Sequence, residues 1–155
     1  MINKIEMQPK DDISYSHLLT IGGTYLVPLF YKYMAELMET GHCTLDTCEQ
    51  VTNTTQGIVA EIDTKIVGFG VFEHLEGEKT MFDFFTYVDP NYRQRGIFTE
   101  IQNGLLKYAK ENKIEYIHSY ISIKNEVSII AHKKMGYNLV ISKSMPEFYE
   151  YIHSV

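Results

Sequence analysis

Between an apolar run and an amphipathic one the chain reads Val88-Asp89-Pro90-Asn91-Tyr92-Arg93-Gln94-Arg95-Gly96-Ile97-Phe98. Two arginines flank a glutamine and meet one glycine where a strand pattern gives way to a helix pattern. A helix start leaves backbone N–H groups unpaired, and its dipole end is positive. Together these make an anion site. Gly96 lets the backbone approach a phosphate with no Cβ in the way. Arg93 and Arg95 add charge, and a guanidinium can grip phosphate oxygens in pairs. Pro90 stops strand pairing and shapes the turn. The chemistry is that of a phosphate cradle. A turn with two solvated arginines ahead of a surface helix fits the same spacing.

The elements around this stretch decide what it faces. Residues 24–40 place Leu26, Phe30, Tyr33, Met34, Leu37 and Met38 at helical spacings, with Pro28 in the first turn and Gly41 as the stop. Residues 46–55 are polar and read as a loop or short helix. Residues 57–63 and 65–74 are strands joined across Asp63-Thr64-Lys65 in a tight hairpin. A third strand, 80–88, is rich in aromatics, and a helix over 97–111 has apolar residues at 97, 98, 101, 105, 108 and 109. A strand within 113–122, a helix over 125–134 ended by Gly136, and strands over 137–142 and 147–152 complete the pattern. An antiparallel meander thus runs into strand–helix–strand–helix–strand, which predicts a mixed sheet with helices on its faces. Ligands of such sheets bind beyond the carboxyl end of a strand where a crossover begins, and Val88 to Gly96 lies at such a point.

Composition narrows the partners. The chain has 155 residues, 45% of them hydrophobic, enough for one domain with a proper core. Its 14 basic and 20 acidic residues give a net charge of -6, which argues against a nucleic-acid binder and mildly favours cationic partners. No apolar run reaches the ~20 residues of a membrane span, and the first residues lack the apolar core of a signal peptide. Cys43 and Cys48, with His42 beside the first, match neither a disulfide framework nor a common zinc pattern. A cytoplasmic protein with reduced thiols, no metal, no nucleic acid and no membrane is expected.

Val88-x-Pro90-x-x-Arg93-x-x-Gly96-Ile97 after an apolar strand resembles the acyl-CoA signature of the GNAT superfamily of N-acetyltransferases. Arg93 and Gly96 match its first two fixed positions; Phe98 departs at the third, where the family has Gly or Ala. Downstream, the run from Asn125 to Tyr137 resembles the family's second segment, with Asn125 and Gly136 at the right separation. The resemblance covers about residues 57–143. It implies an α/β (α+β) fold over 1–155, with a mixed, mostly antiparallel central sheet of about six to seven strands flanked by about four helices.

The resemblance also implies an activity: direct transfer of acetyl from acetyl-CoA, a cosubstrate, to a primary amine on a small molecule or a protein. A CoA-binding module without catalysis is the rival reading, and a homodimer is compatible with either. The pyrophosphate would lie on the backbone of Arg93, Gln94, Arg95, Gly96, Ile97 and Phe98, and the pantetheine arm along Tyr87 and Val88. The Val88 N–H would meet the thioester carbonyl. Asn125 and Ser128 would contact the pantetheine arm or the loop that holds it. His132 stands where the family often has an acidic Tyr, so it is a candidate acid for the leaving thiolate; a packing histidine is the alternative. Phe98 falls on the apolar stripe of its helix, so its ring is expected to turn into the core. Asp83 is the candidate general base, set opposite Phe82 and Phe84 by strand alternation. Glu73, His74, His118 and Tyr120 compete with it, and a base acting through water competes with all of them. Tyr25, Phe30, Tyr31 and Tyr33 either line an acceptor pocket or pack the core.

Overall fold

The structure, a computed structural model, describes residues 12–18, 26–39 and 55–155. The segment 46–54, the cysteines, His42, Tyr25, Gly41 and the side chains of Leu26, Pro28, Phe30 and Leu37 lie outside the described residues. Among the described residues, seven strands form one sheet in the order β1-β2-β3-β4-β5-β7-β6. They are β1 (Ser14–Leu18), β2 (Thr55–Ile62), β3 (Lys65–Glu73), β4 (Thr80–Val88), β5 (Tyr116–Ser122), β6 (Val140–Ile141) and β7 (Phe148–Ser154). The described residues hold three α-helices, α1 (Leu26–Glu39), α2 (Ile97–Glu111) and α3 (Glu126–Lys134), rather than about four. The expected strand over 137–142 shrinks to the two-residue edge strand β6. The sequence pattern predicts no strand at β1, which has five residues, four of them exposed, and hence little hydrophobic pattern.

Residues Asp63 and Thr64 both have positive φ, as a two-residue turn between twisted strands requires, so the β2–β3 hairpin is tight. Its strands carry near-continuous buried runs because both faces are covered. On one face α2 lays Ile97, Ile101, Leu105 and Ala109 against Ile58, Val67, Met81 and Ile117. On the other, Met34 of α1 is fully buried against Val59, Phe69, Val71 and Tyr87. The glycines bring α2 close. A Cβ at Gly70 would come 2.7 Å from Ile101, and one at Gly104 would come 2.8 Å from Ile58. Larger residues there would push the helix off the sheet.

Two irregularities of the sheet shape the cleft beside β4. The β3–β4 ladder shifts register between Val71/Phe72, where Val71 faces Phe85 and Phe72 faces Asp83, which leaves Phe84 as an extra residue on β4. In addition, every neighbouring pair is antiparallel except β4 and β5, and these pair only at Thr80↔Tyr116, Met81↔Ile117 and Phe82↔His118. Beyond that row the two strands part.

Candidate functional site

The parting of β4 and β5 is the site. At the fork the Asp83 carbonyl accepts a bond from the Ser119 hydroxyl instead of from a strand N–H, so the ladder has already widened by one side chain. Past it a cleft of about 950 Å³ runs between the strands to the start of α2. Asp89 N–H donates to Val67 of β3 at 2.9 Å. Because backbone groups alternate along a strand, those of Val88 and Thr86 point the other way, into the gap. The Val88 carbonyl is taken by Arg93 Nε at 3.0 Å, which ties the loop to the end of its strand.

The loop makes an anion cradle. Asp89 caps a short 3-10 turn, Pro90–Tyr92, by accepting from Asn91 N–H at 2.9 Å. Gln94 and Gly96 then adopt left-handed backbone, φ 61 and 79. Glycine takes that conformation freely; for Gln94 it costs about 1 kcal/mol. Gly96 occupies the N-cap of α2 with no side-chain cap, so the first N–H groups of α2 remain open to a ligand. A Cβ at Gly96 would meet no protein atom within 4 Å, so the space above it is available to a phosphate group. The Arg95 guanidinium lies 5.1 Å over the Tyr92 ring and that of Arg93 5.9 Å over Tyr87, which holds both cations near the cradle.

Across the cleft, α3 starts at Asn125, whose side chain accepts from Ser128 N–H at 3.2 Å, so Asn125 acts as the cap of this helix. His132 lies one turn beyond Ser128 and is buried. Its Nδ1 sits 2.7 Å from the Ser128 carbonyl oxygen, and a carbonyl can only accept. Nδ1 therefore carries the hydrogen, and the Ser128 hydroxyl at 3.1 Å is its second neighbour. In the neutral ring Nε2 then holds a lone pair; it carries a proton only in the imidazolium. Phe98 does not turn into the core as expected. It is half-buried and packs edge-on against His132, ring centroids 5.1 Å apart, joining α2 to α3 along the cleft wall. The helix stripe that reaches the core passes through 97, 101, 105 and 109 and leaves 98 at its rim.

Asp83 faces α2, opposite Phe82 and Phe84, and is 2% exposed. Its Oδ2 accepts from Tyr151 Oη at 3.0 Å and from Gln102 Nε2 at 3.2 Å. The same Gln102 amide donates to the Thr86 hydroxyl at 3.0 Å, and its oxygen accepts from Tyr137 Oη at 3.3 Å. Among the described residues Oδ1 of Asp83 is buried with no partner. Burial raises the carboxyl pKa of Asp83, opposed chiefly by His132. Burial lowers that of His132, opposed chiefly by Asp83. Burial also pushes the phenols of Tyr137 and Tyr151 up, so both stay protonated donors. The sequence pattern does not point to Gln102, Thr86, Tyr137 or Tyr151 as members of the site. Gln102 alone carries a signal, a polar residue four after Phe98 and three before Leu105, within the apolar stripe.

The remaining expected residues separate. Glu73, at the end of β3, stands opposite Phe82 in the last row that β4 shares with β5, whereas His74 just past it turns away: its Nδ1 accepts from the Tyr108 hydroxyl at 3.0 Å on the α2 side. Tyr31 is 49% exposed, and Tyr33 stacks on Tyr87 at 3.8 Å, so Tyr33 braces β4 from the α1 face. His118 and Tyr120 are half-buried on β5 beside Phe82. No group of His, Cys, Asp and Glu able to hold a metal occurs among the described residues, and none of their helices is long and apolar enough to cross a membrane.

The comparisons with known proteins agree with this geometry. The model of the acetyltransferase (GNAT) family matches residues 25–137, reaching further toward the N-terminus than the two motifs do. An uncharacterized N-acetyltransferase of Methanocaldococcus jannaschii is 27% identical over 84 residues, 51% of this chain, and the match spans 37% of that protein's length. A GNAT-family acetyltransferase from Staphylococcus aureus superposes with a TM-score of 0.73 at 13% identity, over 91% of this chain and 99% of that one. The ribosomal-protein-S18-alanine N-acetyltransferase from Escherichia coli does so with a TM-score of 0.67 at 13% identity, over 92% and 94%. At such identities the structural likeness establishes the fold, and the family rests on the sequence match. The chain belongs to the acetyltransferase (GNAT) family.

Proposed function

We propose that this chain transfers an acetyl group from acetyl-CoA to a primary amine by direct attack. The observation that carries the reading is the fork, a gap between β4 and β5 that presents backbone N–H groups and runs into the uncapped start of α2. Acetyl-CoA is the donor substrate, and the cradle from Arg93 to Phe98 is of the right chemistry for its pyrophosphate. In this reading the thioester arm lies along Tyr87 and Val88. An N–H of Val88 or Thr86 faces the carbonyl oxygen and stabilises charge that develops there. Asn125 and Ser128 shape the opposite wall through the start of α3.

In this reading His132 supplies the proton to the departing sulfur. Only the imidazolium carries a hydrogen on Nε2, so the acid is the cation. Asp83, whose charge favours that cation, is then a positioning residue rather than the base that takes a proton from the amine. The cleft and the resemblance leave the acceptor broad: small amines and protein amines both fit a primary-amine chemistry. The test is release of CoA thiol from acetyl-CoA across a panel of primary amines, with each product identified by mass. Acetylated amine in any arm supports the reading. Cofactor binding with no product in any arm would turn the chain into an acyl-CoA-binding module.

A further inference from the structure

We propose that His118, held by Glu150, takes the proton from the incoming amine, and that Phe82, Phe84 and Tyr120 seat the amine's apolar body. This rests on the acyl-transfer reading and assigns it a base and an acceptor class. His118 closes the last paired row of β4 and β5, directly beside Phe82. It lies on the sheet face opposite Asp83 and α2, at the apex of the fork. Phe82 and Phe84 meet edge to face at 4.8 Å, Phe82 and His118 at 5.4 Å, and His118 and Tyr120 at 5.0 Å. Phe82, Phe84 and Tyr120 line the cleft. All are half-buried, so a continuous aromatic floor reaches the gap from the side away from α2.

The protonation geometry suits a base. His118 Nε2 stands 2.8 Å from Glu150 Oε1, and the two side chains are 23% and 27% exposed. A carboxylate only accepts, so Nε2 carries the hydrogen and the neutral ring keeps its lone pair on Nδ1. Nδ1 has no hydrogen-bond partner among the described residues. The carboxylate orients the ring and fixes its tautomer. The titratable groups around His118 are Glu150 from β7 and Tyr116 and Tyr120 from β5; β4 presents Phe82, and Ile152 of β7 stands directly opposite. Asp83, the other candidate, is sealed behind Gln102 and Tyr151.

The ligand chemistry follows from the floor. Ring faces attract an ammonium group and bury an apolar body. Glu150 is engaged with His118, and Glu73 of β3 stands directly opposite Phe82 at the far edge of the floor. Rings make up most of the floor, so the seat suits a primary ammonium on an aromatic or apolar body. The step balances. The ammonium gives one proton to His118 Nδ1, and the freed nitrogen lone pair forms the C–N bond to the acetyl carbon. The C–S bond breaks with its electron pair on sulfur. His132 gives its proton to sulfur, the second nitrogen proton passes through water to recharge His132, and His118 returns its proton to water.

The test pairs two aromatic amines, 2-phenylethylamine, protonated at neutral pH, and phenylhydrazine, unprotonated there. His118→Asn is expected to lower kcat/KM for 2-phenylethylamine about 10²–10⁴-fold, the range for loss of a general base. For phenylhydrazine the change stays within a few-fold, and acetyl-CoA affinity by titration is unchanged. Glu150→Gln, which loosens the ring, is expected to lower kcat/KM for 2-phenylethylamine about 10-fold or more and to leave phenylhydrazine within a few-fold. Equal losses for both amines, or none, overturn the base assignment. A wild-type chain that binds acetyl-CoA but uses neither amine, or prefers spermidine, overturns the aromatic seat and leaves the cofactor site standing. A chain that does not bind acetyl-CoA takes down the transfer reading itself, and this proposal with it.

Discussion

His132 and His118 stand on opposite faces of the same fork, and the sheet between them makes them different. His132 is buried, with Phe98, Tyr137 and Tyr151 around it, and its Nδ1–H is held by a main-chain carbonyl. His118 is half-exposed among rings, and its Nε2–H is held by a carboxylate. One ring keeps Nε2 for its chemistry, the other Nδ1. The lesson is that residue type says little about proton direction. The hydrogen bond at the far nitrogen and the polarity of the surroundings decide it. The same contrast runs through the sheet: the α2 side is a sealed layer of apolar residues around Asp83, and the other side of β5 and β7 is open, with Ile152 62% exposed.

The sharpest way to break the contrast is His132→Phe. If the buried histidine is the acid, turnover falls about 10²–10⁴-fold while acetyl-CoA affinity moves little; equal turnover would return His132 to packing. Stability should divide the two faces next. Ile101→Ala, in the sealed layer, is expected to cost about 2–5 kcal/mol in chemical denaturation. Ile152→Ala, on the open face, should stay within about 0.5 kcal/mol. Equal costs would mean that the open face is covered in solution. Arg93→Ala should weaken CoA binding by about 1–3 kcal/mol, since it removes a charged donor and the tie to Val88; unchanged affinity would remove Arg93 from the cradle.

The smallest effect concerns pH. Folding lowers the pKa of His132, so its contribution to stability is present above the unfolded value of 6.5 and is lost as pH falls through the folded one. Asp83 is raised, so its contribution runs the other way, present below the unfolded 3.8 and lost as pH rises through the folded one. His153, also lowered by burial, adds to the acid-side loss. Denaturation midpoints from pH 7 down to 5 should therefore fall more steeply for the wild type than for His132→Phe. Parallel curves would mean that burial does not lower the pKa of His132.

Much of the fold is legible in the sequence because it is local. The hairpin at Asp63 and Thr64, the amphipathic stripe of α2, and the Arg93 to Gly96 turn each follow from neighbours along the chain. The features that stay hidden depend on pairs far apart. The bulge at Phe84 appears only when β3 is laid beside β4. The Tyr151 bond to Asp83 joins residues 68 apart, and His118 meets Glu150 across 32. Phe98 misleads because position 98 lies at the edge of its helical stripe, where a ring can serve the core or the cleft equally. β1 escapes sequence reading because its exposed residues carry almost no apolar alternation.

The measurement closest to the central claim is isothermal titration of the wild type and of Gly96→Val with acetyl-CoA, with CoA and ATP as controls. A Cβ branch at Gly96 would fill the open space above the α2 start and strain its left-handed backbone. The account predicts a Kd on the order of micromolar for acetyl-CoA, similar binding of CoA, weaker binding of ATP, and loss of binding in the variant. No binding by the wild type, or full binding by Gly96→Val, would contradict it.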